Sequence, residues 1–219
     1  MHIDETQFPV VPVWEGALAS PKGVFAPPGE KLPTVSIGRP VWWDGDAILG
    51  EKWAAPAGGS RYGLARFAFS LRPEGRKIVR RAELMVSLEA ENGGGAPIVF
   101  DLLPKVTAEE KTGTFTATVG LDFKFLTLAK AETTIDFTQK VPVIVADGIG
   151  ESIVRWVFVS GHAHPLVGSH IVYAILELPV GTSAARASLH LSAEVATSLG
   201  PIRGILPKEA EEHLSWTLR

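Results

Sequence analysis

Three histidines come nearest, by type and spacing, to a metal site. His162 and His164 are two residues apart, and His170 follows six residues later. Histidines at positions i and i+2 of a strand share one face and can converge on a zinc or iron ion. A catalytic metal would also need a carboxylate, and no spacing rule attaches the nearest, Glu151 and Glu177, to the histidines. A metal-dependent enzyme that uses His162, His164 and His170 is therefore one alternative, and a histidine-rich turn is the other.

Other patterns that carry chemistry are absent or incomplete. The sequence has no Gly-x-Ser-x-Gly motif, so no serine nucleophile is predicted. Residues 147–150 offer backbone amides that could bind a phosphate, but a strand rather than a helix is expected after them. We therefore predict a hairpin turn there. No catalytic residue and no cofactor are predicted, and the sequence does not favour an enzyme.

Seven arginines and lysines lie between residues 61 and 81, the densest basic stretch of the chain. No aromatic residue is interleaved through 72–81, and Glu74 and Glu83 dilute the positive charge. The net charge of the whole chain is -3, which provides no field that would attract nucleic acid. A charged turn between two strands is predicted, with no nucleic-acid partner.

Residues 1–60 differ in composition from the rest and contain four of the six tryptophans. Their many prolines favour extended chain and edge strands, because proline cannot donate to a β-ladder. We interpret 1–60 as an extended arm that packs on a main body of residues 61–219, the two forming a single domain. Trp42 and Trp43 should point to opposite faces of a strand. Trp14, Trp42 and Trp43 are the predicted interaction residues, and a sugar platform at Trp42–Trp43 is an alternative.

The elements that must position these residues are strands. Runs rich in β-branched and aromatic residues alternate with glycine- and proline-containing turns from residue 62 onward. The predicted strands cover 62–71, 82–91, 98–103, 114–138, 141–146, 152–159, 170–178 and 187–196. Helix is expected only at 106–111 and 207–214. The predicted fold is an all-β, antiparallel β-sandwich of jelly-roll or immunoglobulin-like type, with a proline-rich N-terminal arm and a short C-terminal helix.

The run 114–138 alternates more regularly than any other. Phe115, Ala117, Val119, Leu121, Phe123 and Phe125 fall on one face of an extended strand, and Thr114, Thr116, Thr118, Asp122 and Lys124 fall on the other. Membrane hairpins have the same pattern, with legs of roughly 9–11 residues. However, residues 126–130 lack a tight-turn residue, and two sandwich strands joined through a bulge would look alike. A membrane-active β-hairpin is therefore a second alternative function.

The leading prediction from the sequence is a non-catalytic cytoplasmic interaction or assembly module. Residues 1–7 include Asp4 and Glu5 where a signal peptide would be basic, and the chain has no cysteine, which fits a reducing compartment. No stretch approaches the roughly 18 apolar residues of a membrane helix. The scattered acids and histidines do not resemble an active site. We therefore expect protein partners, above all a second copy of the chain, and no stable membrane insertion.

Overall fold

The computed structural model describes residues 10–21, 31–45, 58–75, 77–91, 93–107, 115–118, 134–137, 143–161, 166–197, 200–211 and 213–219. These residues form 15 strands and one short helix. In chain order the elements are β1 (Pro12–Ala17), β2 (Thr34–Gly38), β3 (Val41–Asp44), β4 (Arg61–Arg72), β5 (Ile78–Ala90), β6 (Ile98–Leu103), β7 (Val106–Thr107), β8 (Phe115–Thr118), β9 (Thr134–Phe137), β10 (Val143–Asp147), β11 (Ile153–Val159), β12 (Gly168–Leu178), β13 (Ala185–Thr197), β14 (Gly200–Ile205), α1 (Lys208–Glu211) and β15 (Ser215–Leu218).

The strands form two antiparallel sheets that pack face to face. Sheet A has the order β1-β2-β4-β12-β6, with β3 also paired to β4, and sheet B has the order β14-β13-β5-β11-β10-β7, with β15 paired to β13. Ring contacts join the sheets: Phe67 lies 6.1 Å from Trp156, and Phe69 lies 5.0 Å from Phe158, centroid to centroid. The antiparallel β-sandwich predicted from the sequence is confirmed. Among the described residues, strands β8 and β9 pair with each other and with no other strand.

Alternation of apolar and polar residues explains why these segments are strands. In β11, Val154, Trp156 and Phe158 are buried in the core between the sheets, whereas Ile153 and Val159 are exposed on the outer face. Every second residue therefore contributes to the core, as a period of two requires. β5 and β13 alternate in the same way and carry the longest pairing of sheet B.

Two turns place glycine where the backbone has a positive φ. Residues 147–150 close the hairpin between β10 and β11, so the predicted hairpin turn is confirmed. Gly148 has a φ of +109°, and a Cβ there would collide with the backbone of Ile153. Only glycine fits such a position. Gly75, with a φ of +62°, instead lies in the turn that carries the chain from β4 in sheet A to β5 in sheet B.

The helix predicted at 106–111 is wrong in its first part. Val106 and Thr107 form β7, which pairs with β10, and residues 108–111 lie outside the described part of the chain. The second predicted helix is confirmed in shortened form as α1. No helix among the described residues is long and apolar enough to cross a membrane.

The proline-rich segment contributes strands to sheet A. β1 is the end strand of the sheet, where Pro12 deprives no neighbouring strand of a donor. β2 and β3 pair with successive parts of β4, which puts β4 inside the sheet. The division into an arm of residues 1–60 and a body of 61–219 stays a prediction.

We expect Gly63→Ala to destabilise the fold. The indole of Trp42 lies directly over Gly63, and an added Cβ would collide with it. Overpacking of this kind typically costs about 1–3 kcal/mol. Urea denaturation should show this loss in the free energy of unfolding. Ser70→Ala, on the same strand, is the control: its buried hydroxyl has no hydrogen-bond partner among the described residues, so its removal should not lower stability. Equal effects of the two changes would contradict the expectation.

Candidate functional site

Strands β8 and β9 lie within the run 114–138. They form an antiparallel pair of their own. The register places Phe115 opposite Phe137, Thr116 opposite Asp136, Ala117 opposite Ile135, and Thr118 opposite Thr134. Residues 114, 119–133 and 138 lie outside the described part of the chain. Opposite residues of an antiparallel pair share a face. Each odd position therefore shares a face with another odd position, and each even position with another even position.

The charges of the run follow this parity. Its five charged residues all stand at even positions and none at an odd one: Asp122, Lys124, Lys130, Glu132 and Asp136. The odd positions of the second half, 127–137, hold only alanine, threonine, isoleucine and phenylalanine. Sequence reasoning considered the alternation in the first half and missed its continuation in the second. The register of β8 and β9 places the described odd positions, Phe115, Ala117, Ile135 and Phe137, on one face, opposite to that of Asp136.

We call the place where β7 ends, at Thr107, and β10 begins, at Val143, the root of the run; it lies at one edge of sheet B. The chain leaves sheet B through β7 and returns to it in β10, and these two strands are paired with Val106 opposite Val145. In an antiparallel ladder, the numbers of opposite residues have a constant sum. This sum is 251 for β7 and β10, as in Val106 and Val145, and 252 for β8 and β9, as in Phe115 and Phe137. The registers of the two pairs therefore differ by one residue.

An ion pair stabilises the turn at the other end of β10, where the chain passes to β11. The Arg155 guanidinium donates to both carboxylate oxygens of Asp147, with Nη2 2.7 Å from Oδ2 and Nε 3.3 Å from Oδ1. The hydrogen bond to Asp147, and then the charges of Asp147 and Glu83, raise the pKa of Arg155. The ion pair is bidentate, which fixes the orientation of the two side chains in the turn. Because it is solvent-exposed, it adds little to the stability of the fold.

The imidazole of the half-buried His170 packs against two aromatic rings of the core. Its ring centroid is 5.1 Å from that of Phe69 and 5.2 Å from that of Phe158, and Nε2 has no hydrogen-bond partner among the described residues. Burial lowers its pKa from 6.5 to about 4. The other two predicted ligands, His162 and His164, lie outside the described residues. Within that part of the chain, no three histidine, cysteine or acidic residues are grouped as a metal site would need. The three-histidine metal site stays a prediction.

The predicted interaction residues lie on both faces of sheet A. Trp14 and Trp42 pack against the main core, whereas Trp43 packs on the outer face beside Tyr62 and Leu64. Trp42 and Trp43 thus point to opposite faces, as expected for neighbours in a strand. The buried Arg66 guanidinium lies 5.8 Å from the Trp43 ring, a cation–π contact that the sequence did not reveal. An interaction role for the three tryptophans stays a prediction.

Comparisons with known proteins add solved structures. Neither a family model nor a curated protein matches the sequence. A structure titled pore forming protein aligns with 93% of this chain and 88% of its own, at 10% identity and a TM-score of 0.41. The Clostridium perfringens NetB toxin in the membrane inserted form aligns over 93% of both chains, at 8% identity and a TM-score of 0.36. Clostridium perfringens delta-toxin aligns with 94% of this chain and 92% of its own, at 13% identity and a TM-score of 0.40.

These alignments correct the leading prediction from the sequence. The three titles name a pore-forming protein and two toxins, one of them in a membrane-inserted form. On this finding we withdraw the cytoplasmic interaction or assembly module, the cytoplasmic location and the absence of stable membrane insertion. Identities of 8–13% and TM-scores of 0.36–0.41 are too low to assign the activity of these proteins to this chain. The function proposed below therefore rests on this chain's own residues.

His170 predicts a loss of stability in acid. The pKa of His170 is lower in the folded than in the unfolded state, so the folded protein binds a proton at this site less readily. The free energy of unfolding therefore has its full value above pH 6.5 and falls as the pH drops from 6.5 to about 4. A shift of this size corresponds to at most about 3 kcal/mol. The free energy of unfolding of wild type relative to His170→Phe, measured in urea, should fall by up to that amount across this range. A difference that stays constant with pH would contradict the assignment.

Proposed function

We propose that this chain is a membrane-active β-protein that inserts the run 114–138 into a lipid bilayer as an amphipathic hairpin. The observation that carries the proposal is the register of β8 and β9, which pairs odd positions with odd positions. All charges of the run are at even positions. The hairpin therefore has one charge-free face for lipid and one charged and hydroxyl-rich face for water.

The run has the length that insertion needs. With a three-residue loop at 125–127, residues 114–124 and 128–138 supply 11 residues to each leg. A tilted strand crosses the hydrocarbon layer with about 9–11 residues. Alternation of apolar and polar residues along such a leg is the pattern of membrane-spanning strands.

The same register accounts for the middle of the run. When it is continued, the two legs meet at Leu126, so the loop between them contains an odd number of residues. Asn-Gly and Asp-Gly turns belong to two-residue loops, so their absence from 126–130 does not argue against a longer loop. Continued further, the register sets Asp122 opposite Lys130 on the charged face. Opposite charges in such a pair stabilise a sheet.

A single inserted hairpin cannot satisfy its own backbone. Its two outer edges carry N–H and C=O groups that have no partner in hydrocarbon, and each such group costs several kcal/mol. Hairpins from neighbouring copies supply those partners by pairing edge to edge. Insertion of this run therefore implies self-association on the membrane.

Release of a trapped dye from lipid vesicles tests the proposal. Wild-type protein should release the dye, and Val119→Arg should slow the release at least about tenfold. An arginine facing lipid near the bilayer centre costs about 2–4 kcal/mol, and 1.4 kcal/mol corresponds to a factor of about ten. Position 119 is odd and lies near the middle of its leg.

Thr118→Arg is the matched control. The same side chain is placed one residue earlier, at an even position, where it would face water, so its rate should stay within about twofold of wild type. Circular dichroism and urea unfolding of both variants should match wild type, which excludes misfolding as a cause. Equal loss in both variants, or no loss in either, would contradict the amphipathic hairpin. No release by wild type at any lipid composition would contradict the function itself.

A further inference from the structure

We propose that a strip of exposed valines on the outer face of sheet B is the contact surface for a second copy of this chain, an inference that rests on the proposed function. The strip consists of Val106, Val145, Val157 and Val159. It lies on β7, β10 and β11, beside the root of the run.

The strip is continuous across three strands. Val145 is opposite Val106 on one side and opposite Val157 on the other. Val106, Val145 and Val159 are 67%, 45% and 40% exposed, and Val157 is half-buried. The intervening residues of β11, Trp156 and Phe158, are fully buried. The valines therefore project from the outer face of sheet B rather than into the core.

Charged residues border the strip. Arg155 pairs with Asp147 at 2.7 Å and lies 3.9 Å from Glu83, which is itself opposite Val157 and 3.4 Å from Arg81. An apolar centre with a charged, internally paired rim is the composition of a protein–protein contact. Scattered valines on a surface need no explanation, but this row adjoins the open end of a sheet, where proteins usually place charge.

The hairpin identifies the occupant of the strip. Neighbouring strands of a sheet are about 4.8 Å apart, so two edge-paired hairpins have axes about 10 Å apart. β7 precedes β8 in the chain and β10 follows β9, so a neighbour whose hairpin pairs with this one brings its own root close to this edge of sheet B. The exposed surface at that place is the valine strip. The contact joins different surfaces of the two copies, as in a head-to-tail assembly.

Single-cysteine labelling tests this contact, and the chain contains no native cysteine. Val145→Cys and the control Val180→Cys each receive a thiol-reactive fluorophore. Val180 is 69% exposed and lies in the turn between β12 and β13, away from the strip. Quenching by aqueous iodide is measured before and after vesicles are added. Label 145 should lose accessibility at least about threefold on vesicles, whereas label 180 should not change.

A lipid-bound quencher in the same vesicles separates contact with protein from contact with lipid. Label 145 should be shielded from both quenchers. Unchanged iodide quenching at 145, or strong quenching by the lipid-bound group, would overturn the contact even when the protein releases dye. If wild type releases no dye, the proposed function fails. Shielding of label 145 on vesicles would then still support a contact between copies, and its absence would overturn that contact as well.

Discussion

The register of one short antiparallel pair is the constraint on which the function depends. The face on which a residue lies is decided by parity, and a shift of one residue between β8 and β9 would put odd positions opposite even ones. Asp136 would then share a face with Phe115 or Ala117, and neither face of the hairpin would be free of charge. The observed register avoids this. Among the described residues it puts Phe115, Ala117, Ile135 and Phe137 on one face and Asp136 on the other.

The sandwich is the packed part of the molecule, and the strands before and after β8 and β9 in the chain belong to it. Its core is closed by Phe67, Phe69, Trp156 and Phe158, and β10 is held beside β11 over five residue pairs. The chain between β7 and β10 begins and ends on the two adjacent strands at one edge of sheet B. The pairing of the central strands of sheet B therefore does not involve this part of the chain. The hairpin can therefore change its surroundings without opening the core. A two-stranded pair is marginal in water by itself, which is compatible with the proposed pairing of this segment with lipid and with other copies.

The fold was largely predictable because period-two alternation reports burial directly. It located β4, β6, β11 and β12 to within a few residues. β7 was mistaken for helix because two residues have no periodicity, and only their pairing with β10 defines them as strand. The burial of Arg66 and the partial burial of His170 could not be read from the sequence either, since burial of a polar residue depends on strands far away in the chain. For the candidate site, the alternation was visible in the sequence, whereas the register was not. The cytoplasmic interpretation rested on Asp4 and Glu5 near the N-terminus and on the absence of cysteine, neither of which reports on this run.

Environment-sensitive labels at successive positions from 115 to 125 provide the most direct measurement of the hairpin. Each position is replaced by cysteine in turn and labelled with a dye whose emission reports water or lipid, first in solution and then on vesicles. Odd positions should move into lipid on the membrane while even positions remain in water, giving an emission pattern with a period of two. Emission that stays aqueous at every position, or that changes without alternation, would show that this run does not insert as an amphipathic hairpin.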